Sequence, residues 1–207
     1  MRVVIFDIGN VLVRYDHTRT LEAVAELCSV TPGQLADTFN EVGRAFGLGE
    51  ITPEQFCDHI RTRTAASSLS CDLIEDALCA GMSRDDAALH YVQTLLQLPD
   101  VEAGAISNTN ATHVGWLDTH VPELASFELV LMSNEVGLLK PDPEIFELAL
   151  ELLDVAPAHV LYIDDLEVNV QAAQAVGMAG IVHCDWETTR PQIETWLDIP
   201  AGGDGVL

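Results

Sequence analysis

Five short apolar runs, spread along the whole chain, constrain the fold more than any other feature of this sequence. They lie at residues 3–6, 103–106, 129–132, 160–163 and 180–182. Each run is near-continuously apolar rather than alternating, which is typical of strands covered on both faces of a parallel sheet. Helical patterns separate the last four runs, and strand–helix alternation requires right-handed crossovers. The sequence therefore predicts an α/β fold with a doubly wound, parallel Rossmann-like sheet.

The helical patterns differ in strength. Residues 143–153 are strongly periodic and begin with Asp142 as a potential N-cap and Pro143 in the first turn. Residues 168–176 form a second pattern, which Gly177 would end, and residues 113–119 form a weaker one.

Residues 17–98 show helix signals and no convincing strand. Helix starts are predicted at Thr31, Thr52 and Ser83, and amphipathic stretches lie at 21–27, 56–60, 73–78 and 89–98. The last stretch is expected to rejoin the sheet layer. We therefore predict a helical cap domain over residues 16–83, inserted into a core domain of residues 1–15 and 84–207.

Composition excludes several classes of function. The formal net charge of −24 would repel the phosphates of nucleic acids and anionic membranes, so neither is expected as a partner. The strand-like run at the amino terminus leaves no room for a secretion signal, and no apolar run approaches the length of a membrane span, which predicts a cytoplasmic protein. The five cysteines contain no CxxC pair, so neither a disulfide framework nor a zinc site is expected. The sequence does not indicate an oligomeric state.

Polar side chains follow the apolar runs at the point where each predicted strand ends. Asp7 follows the first run, Ser107 and Asn108 follow the second, and Asp164 and Asp165 follow the fourth. In a parallel α/β sheet, ligands bind at the carboxyl ends of the strands, so these groups are expected to converge.

Lys140 lies between the third run and the strong helix that follows it. It is the only lysine, and every other basic residue in the chain is arginine. An ammonium is a compact point charge, whereas a guanidinium is a planar fork.

Each of these residues has an ordinary explanation when it is taken alone, as a turn former, a helix cap or a solvated charge. Three carboxylates at one sheet edge, however, need a cation, and one lysine does not balance them. Mg²⁺ prefers such oxygen ligands together with water and substrate phosphate. A nucleophile, a metal, a lysine and neutral donors together outline a phosphoryl-transfer site.

The order and spacing of these segments resemble the haloacid dehalogenase-like (HAD) hydrolase superfamily. Its four motifs match "FDIGNVL", "SNT", "KPDPEIF" and "YIDDLEVN", and a helical insertion after the first motif resembles the type 1 cap of subfamily I. The first motif and "GEITPEQF" in the cap are similar to bacterial sugar-1-phosphate phosphatases. "VGLLKPDPEIF" and "IDDLEVN" are similar to the phosphatase domain of soluble epoxide hydrolases.

The resemblance implies a Mg²⁺-dependent phosphatase of small phosphorylated metabolites, sugar phosphates among them. Asp7 is implied as the nucleophile that forms an aspartyl-phosphate, with Lys140 neutralising the nucleophile and the transferring group. The implied Mg²⁺ ligands are Asp7, the backbone carbonyl of Gly9, and Asp165, with Asp164 close by or ligating. The remaining implied roles are phosphate binding by Ser107, Asn108 and Lys140, and an outer-shell contact from Asn169.

Gly9 departs from the family pattern, because most phosphatases of the superfamily carry a second aspartate there as general acid and base. The substrate could have a good leaving group, or Asp16, His17 or a water could replace the acid, or the enzyme could be weak or silent. Dehalogenation of 2-haloacids is a second candidate chemistry, although its members lack the carboxylate pair of the fourth motif. A non-catalytic binding or regulatory protein is a third.

In the cap, Arg14, Arg44, Phe46 and Glu50 are candidate substrate contacts.

Overall fold

A five-stranded parallel sheet forms the centre of the protein in a computed structural model that describes residues 1–199 of the chain. The sheet strands are β1 (Arg2–Phe6), β4 (Val101–Ser107), β5 (Leu129–Met132), β6 (Val160–Asp164) and β7 (Ala179–Val182). Their order across the sheet is β5-β4-β1-β6-β7. All five predicted strands are present, and the doubly wound α/β prediction is confirmed.

Strand β1 occupies the middle of the sheet because its side chains can be buried on both faces. Residues Val3 to Phe6 are at most 1% exposed, and Phe6 pairs with Ala105 of β4 on one side and Ile163 of β6 on the other. One apolar cluster packs on each face of the sheet. The chain order reverses at β1, which makes its carboxyl end the crevice where ligands bind in such folds.

Helices cover both faces of the sheet. They are α5 (Asp86–Leu95), α6 (Ala111–His120), α7 (Ser133–Val136), α8 (Pro143–Leu153), α9 (Glu167–Ala175) and α10 (Trp186–Trp196). Helix α8 has the predicted bounds, and Gly177 follows α9 with a positive φ of 94°. Helix α10 was not predicted, because Pro191 lies inside it and its apolar residues are sparse.

Four helices lie between the first strand of the sheet and its return, and we refer to them as the cap: α1 (His17–Cys28), α2 (Pro32–Gly47), α3 (Pro53–Thr64) and α4 (Cys71–Leu78). A separate cap domain over residues 16–83 stays a prediction. Thr31 and Thr52 each form a full capping box with the glutamine three residues later, as their spacing predicts. The cap has its own buried cluster, in which Phe46 stacks on Phe56 with ring centroids 4.4 Å apart.

The prediction that residues 17–98 contain no strand was wrong. Strand β2 (Val13–Tyr15) pairs antiparallel with β3 (Met82–Arg84), at the point where the chain leaves the sheet layer and returns to it. Both strands have only three residues, too few for an alternating pattern to be detected. Ser83 consequently lies in β3, and Asp85 is the N-cap of α5.

The expectation of no disulfide was also wrong. Cys57 in α3 and Cys71 at the start of α4 are joined by a disulfide, whereas Cys28, Cys79 and Cys184 are free thiols. The pairing depends on the packing of two cap helices, which the spacing of the cysteines does not reveal. The sequence predicts that the Gly-rich tail at 201–207 is frayed, but these residues lie outside those that the structure describes. Within residues 1–199, no helix is both long and apolar enough to cross a bilayer.

The cap and the sheet layer meet closely at Gly49, just after α2. Gly49 has a φ of +70°, and a Cβ placed there would overlap the backbone carbonyl of Asn134 in α7. The hydroxyl of Ser133 donates to the carbonyl oxygen of Gly47 at 2.7 Å. This contact anchors the end of α2 beside the segment that leads to Lys140.

Gly49→Ala is expected to destabilise the protein more than Gly137→Ala. Gly137 has nearly the same φ, +69°, but open space at its Cβ, so it isolates the cost of a left-handed backbone. That cost is about 1–2 kcal/mol, and the overlap with Asn134 should add about 1–3 kcal/mol. Urea denaturation measures both free energies of unfolding, and equal losses would contradict a close cap–core contact.

Candidate active site

The carboxyl ends of β1, β4 and β6 bring the predicted polar residues together. Ser107 ends β4 and Asp164 ends β6, while Asp7 directly follows β1. Asp7 is 9% exposed, Ser107 is 5% exposed and Asp164 is fully buried. The convergence follows from the parallel register, since neighbouring strands end at the same edge of the sheet.

Lys140 is buried at the centre of this group and is 4% exposed. Its Nζ lies 2.8 Å from Oδ1 of Asp7, 2.8 Å from Oδ2 of Asp164 and 2.9 Å from the carbonyl oxygen of Ile106. An ammonium has three N–H donors, and the three acceptors match them in number. This arrangement accounts for a lysine here in a chain whose other basic residues are all arginine.

Asp7 has one oxygen that is held firmly and one that is not. Its Oδ1 accepts a hydrogen bond from the backbone N–H of Ile8 at 2.7 Å and contacts Lys140, whereas Oδ2 has no hydrogen-bond donor among the described residues. Burial raises the pKa of Asp7 to about 6, and the charge of Lys140 opposes this rise. Asp7 is therefore mainly ionised at neutral pH even without a metal.

Asp164 is the most heavily hydrogen-bonded group of the site. It accepts from Lys140, the Tyr162 hydroxyl, the backbone N–H of Leu166 and, through both oxygens, from Nδ2 of Asn169 at 3.0 Å. Burial alone would raise the pKa of Asp164, but Lys140 and these donors hold it below its usual value. Asn169 thus contacts the Asp164 carboxylate directly.

Asp165 is partly exposed and has fewer donors. Its Oδ2 accepts from Nδ2 of Asn10 at 3.3 Å, and burial raises its pKa. Carboxylate oxygens of Asp7, Asp164 and Asp165 lie within 4.8 Å of one another. Three carboxylates against one ammonium leave two negative charges, so this cluster can hold a metal ion.

The two neutral residues after β4 are used differently. The hydroxyl of Ser107 lines the cavity beside Asp7 and has no hydrogen-bond partner among the described residues. The side chain of Asn108 bonds the backbone of Lys140 twice, accepting from its N–H and donating to its carbonyl oxygen, both at 2.8 Å. Asn108 therefore fixes the lysine segment against β4.

A cavity of about 310 Å³ opens from Asp7 and Gly9 toward the cap. A Cβ at Gly9 would meet nothing within 4 Å, so the position where the family carries an acid is open space. Asp16 and His17 do not line this cavity. Asp16 instead caps α1 by accepting from the backbone N–H of Arg19.

Three further site residues were missed in the sequence. Asn10, with a φ of 57°, bridges Asp165 and the backbone N–H of Tyr15. Its place directly after Gly9, and the tolerance of asparagine for this conformation, were the available signal. Tyr162 gave no signal, because it lies within an apolar strand. His113 lies in the weak helical pattern at 113–119, which gave no sign of a site role, yet it lines the cavity.

The family model for haloacid dehalogenase-like hydrolases matches residues 1–177 of the chain. The chain is a haloacid dehalogenase-like hydrolase. The resemblance in its four motifs is thereby confirmed. The three carboxylates lie at the ends of β1 and β6, and Lys140 lies between α7 and α8.

Individual relatives of this HAD-like hydrolase are distant. It is 25% identical over 94% of its length to bifunctional epoxide hydrolase 2 of Sus scrofa, and 23% identical over 91% of both chains to D-ribitol-5-phosphate phosphatase of Bacteroides thetaiotaomicron. A HAD family enzyme from Bacteroides thetaiotaomicron, solved with magnesium and inorganic phosphate, is 25% identical with a TM-score of 0.80. That match covers 91% of this chain and 98% of the solved one.

The chain spans only part of its longer relatives. It covers 38% of the length of the pig epoxide hydrolase. It also covers 19% of mouse acyl-CoA dehydrogenase family member 10, to which it is 26% identical over 96% of its own length.

Proposed function

We propose that this HAD-like hydrolase is a Mg²⁺-dependent phosphatase that releases phosphate from small phosphomonoesters, with Asp7 as the nucleophile. The observation that carries the proposal is the cluster of three carboxylates around one buried ammonium, which leaves two charges uncompensated. The similarity to D-ribitol-5-phosphate phosphatase and to the magnesium- and phosphate-bound enzyme supports it.

The residues of the cluster fit a hard divalent cation, because every donor atom that they offer is oxygen. Asp7, the carbonyl of Gly9 and Asp165 would hold Mg²⁺. Asp164 lies close by, but donors already surround its two oxygens. When bound, Mg²⁺ would supply positive charge that offsets the carboxylates and the phosphoryl oxygens.

The proposed reaction proceeds in two displacements. An oxygen of Asp7 forms a bond to phosphorus as the ester P–O bond breaks, and the leaving alkoxide takes up a proton from the solvent, to which the attacking water later returns one. Water then attacks the phosphorus of the aspartyl-phosphate, the bond to Asp7 breaks, and inorganic phosphate leaves. Lys140 and the backbone N–H of Ile8 contact Oδ1 of Asp7, so we assign the attack to Oδ2, which has no donor among the described residues.

The phosphoryl oxygens need donors at the other side of the site. The unpartnered hydroxyl of Ser107 and the charge of Lys140 are suited to this role. Asn108 contributes through the one Nδ2 proton that its contact with the Lys140 carbonyl leaves free.

Chelation separates this proposal from dehalogenation. EDTA is expected to lower phosphate release from p-nitrophenyl phosphate or a sugar-1-phosphate by about 10²-fold or more, and Mg²⁺ should restore it. Chloride release from 2-chloropropionate, measured in parallel, tests the alternative. EDTA-insensitive chloride release would favour a dehalogenase, and no turnover at saturating Mg²⁺ would favour a non-catalytic protein.

Gly9→Asp tests how the leaving group obtains its proton. The space beside Gly9 can accept the side chain, so the mutant should gain up to about 10²-fold on alkyl phosphates, which have poor leaving groups. It should change little on aryl phosphates. Gly9→Asn has the same size without the acid, and an equal gain in that variant would contradict a role for proton donation.

A further inference from the structure

A second, smaller cavity adjoins the one that opens from Asp7. It has a volume of about 100 Å³ and shares Tyr15, Gly43, Asn110 and His113 with the larger cavity. Its remaining walls come from the cap: Thr20, Phe39, Phe46, Phe56 and Leu78. We refer to this smaller space as the recess. The shared residues place the recess next to the larger cavity, between Asp7 and the apolar centre of the cap.

The walls of both cavities carry almost no charge. The chain has 33 acidic and 9 basic residues, yet Asp7 is the only Asp, Glu, Lys or Arg lining either space within the described part of the chain. An ionised group buried there would lose its hydration without gaining a partner. The contrast with the rest of the chain indicates a leaving-group space that excludes charge.

The predicted cap contacts agree with this in part. Phe46 lines the recess, but Arg44 and Glu50 line neither cavity. Arg14 is also absent from both, and its Nε bonds Oδ2 of Asp85 at 3.0 Å. Neither Arg14 nor Arg44 therefore lines the space that an anionic leaving group would occupy.

Glycines on α2 keep this path open. Gly43 and Gly47 lie one turn apart and both line the larger cavity. Gly43 lacks a positive φ, and a Cβ there would meet nothing within 4 Å, so neither the backbone nor packing requires glycine. A glycine inside a helix costs about 0.5–1 kcal/mol relative to alanine. Its presence leaves position 43, which lines both cavities, without a side chain.

His113 provides one polar point on this wall. Its Nε2 lies 3.3 Å from the carbonyl oxygen of Leu78, which can only accept, so Nε2 carries the proton. Burial lowers the pKa of His113, which favours the neutral ring. Its Nδ1, which has no partner among the described residues, is then an acceptor. His113 can accept a bond from a substrate hydroxyl but does not replace the missing acid.

From the cavity and its walls we infer that this site takes phosphomonoesters whose leaving group is uncharged and mainly apolar, seated against Tyr15 and extending into the recess. This substrate class rests on the proposed phosphatase function for its chemistry. The recognition itself depends only on the shape and charge of the two cavities, so binding can be tested apart from turnover.

Three matched phosphonates separate charge from size. They are benzylphosphonates with a propyl, a 2-aminoethyl or a carboxymethyl group in the para position, which have nearly equal length. With Mg²⁺ present, calorimetry is expected to show the propyl compound binding at least about tenfold more tightly than either charged one. Equal affinities, or tighter binding of a charged compound, would overturn the inference. The aminoethyl arm controls for the general preference of an acidic protein for cations.

Gly43→Leu tests the position of the bound group. Its side chain should fill the junction of the cavities and weaken binding of the propyl compound by about tenfold or more. Gly33→Leu, on the same helix, is exposed like Gly43 and has the same open space at its Cβ, but it lines neither cavity and should leave binding unchanged. Equal effects of the two variants would overturn the inference, and the phosphonate series on the unmodified protein decides it if Gly43→Leu does not fold.

Hydrolysis of acetyl phosphate by the unmodified protein tests the chemistry separately, because its leaving group is too small to need the recess. Selective binding of the propyl compound without any phosphate release would support the inferred leaving-group space and refute the proposed function. Phosphate release without selective binding of the propyl compound would support the proposed function and refute the inferred leaving-group space.

Discussion

Asp7→Asn is expected to lower the rate of phosphate release by more than about 10⁴-fold, because loss of a nucleophile removes the covalent route. The asparagine amide has the same shape as the carboxylate but does not form an ester with phosphorus. Folding should be preserved, since the change removes one of three carboxylates that repel one another. Phosphate release from p-nitrophenyl phosphate and thermal denaturation measure the two effects.

A matched control for this variant is Asp185→Asn. Asp185 is the N-cap of α10, a position that asparagine also fills well, and it does not line the cavity at Asp7. It should retain the rate of the unmodified protein. Substantial turnover in Asp7→Asn, with Asp185→Asn normal, would refute the nucleophile assignment.

Lys140→Arg is expected to lower phosphate release by about 10²-fold or more, although it preserves the charge. The three acceptors around Nζ match an ammonium, and the side chain is only 4% exposed, so a planar guanidinium has neither the space nor the matching acceptors. The larger guanidinium should also displace its buried neighbours, which should lower the free energy of unfolding by about 1–3 kcal/mol.

Lys140→Met separates charge from shape. It leaves the buried Asp7 and Asp164 without their cation, and breaking such a buried pair costs about 3–5 kcal/mol. The control for Lys140→Arg is Arg19→Lys, the opposite substitution at an exposed position, which should change neither activity nor stability. Near-normal activity of Lys140→Arg would contradict the account of the single lysine.

The sheet could be predicted closely, because strand burial on both faces leaves a continuous apolar run. Leu129–Met132 is predicted with the observed bounds, and the other strands differ at their ends by one or two residues. Strands β2 and β3 could not be predicted, since three residues carry no period. The disulfide between Cys57 and Cys71 depends on how cap helices pack, which is information that the local sequence does not contain.

The residues of the candidate site were visible as polar groups at strand ends, but their contacts were not. Asn108 holds the backbone of Lys140 instead of facing the cavity with both polar atoms. This contact depends on a loop 32 residues away. His113 likewise becomes a cavity wall only because α6 packs beside Leu78 of the cap. Such roles arise from long-range packing, whereas the nature of Asp7 and Lys140 is apparent from their types and positions.

A covalent role for Asp7 is tested most directly by acid-quenching a single turnover with radiolabelled p-nitrophenyl phosphate and Mg²⁺. We expect a hydroxylamine-labile phosphoryl group on the peptide that contains Asp7, and no label on Asp7→Asn. Two results together would contradict nucleophilic catalysis by Asp7. They are complete release of phosphate without labelled protein at any quench time, and equal activity of Asp7→Asn.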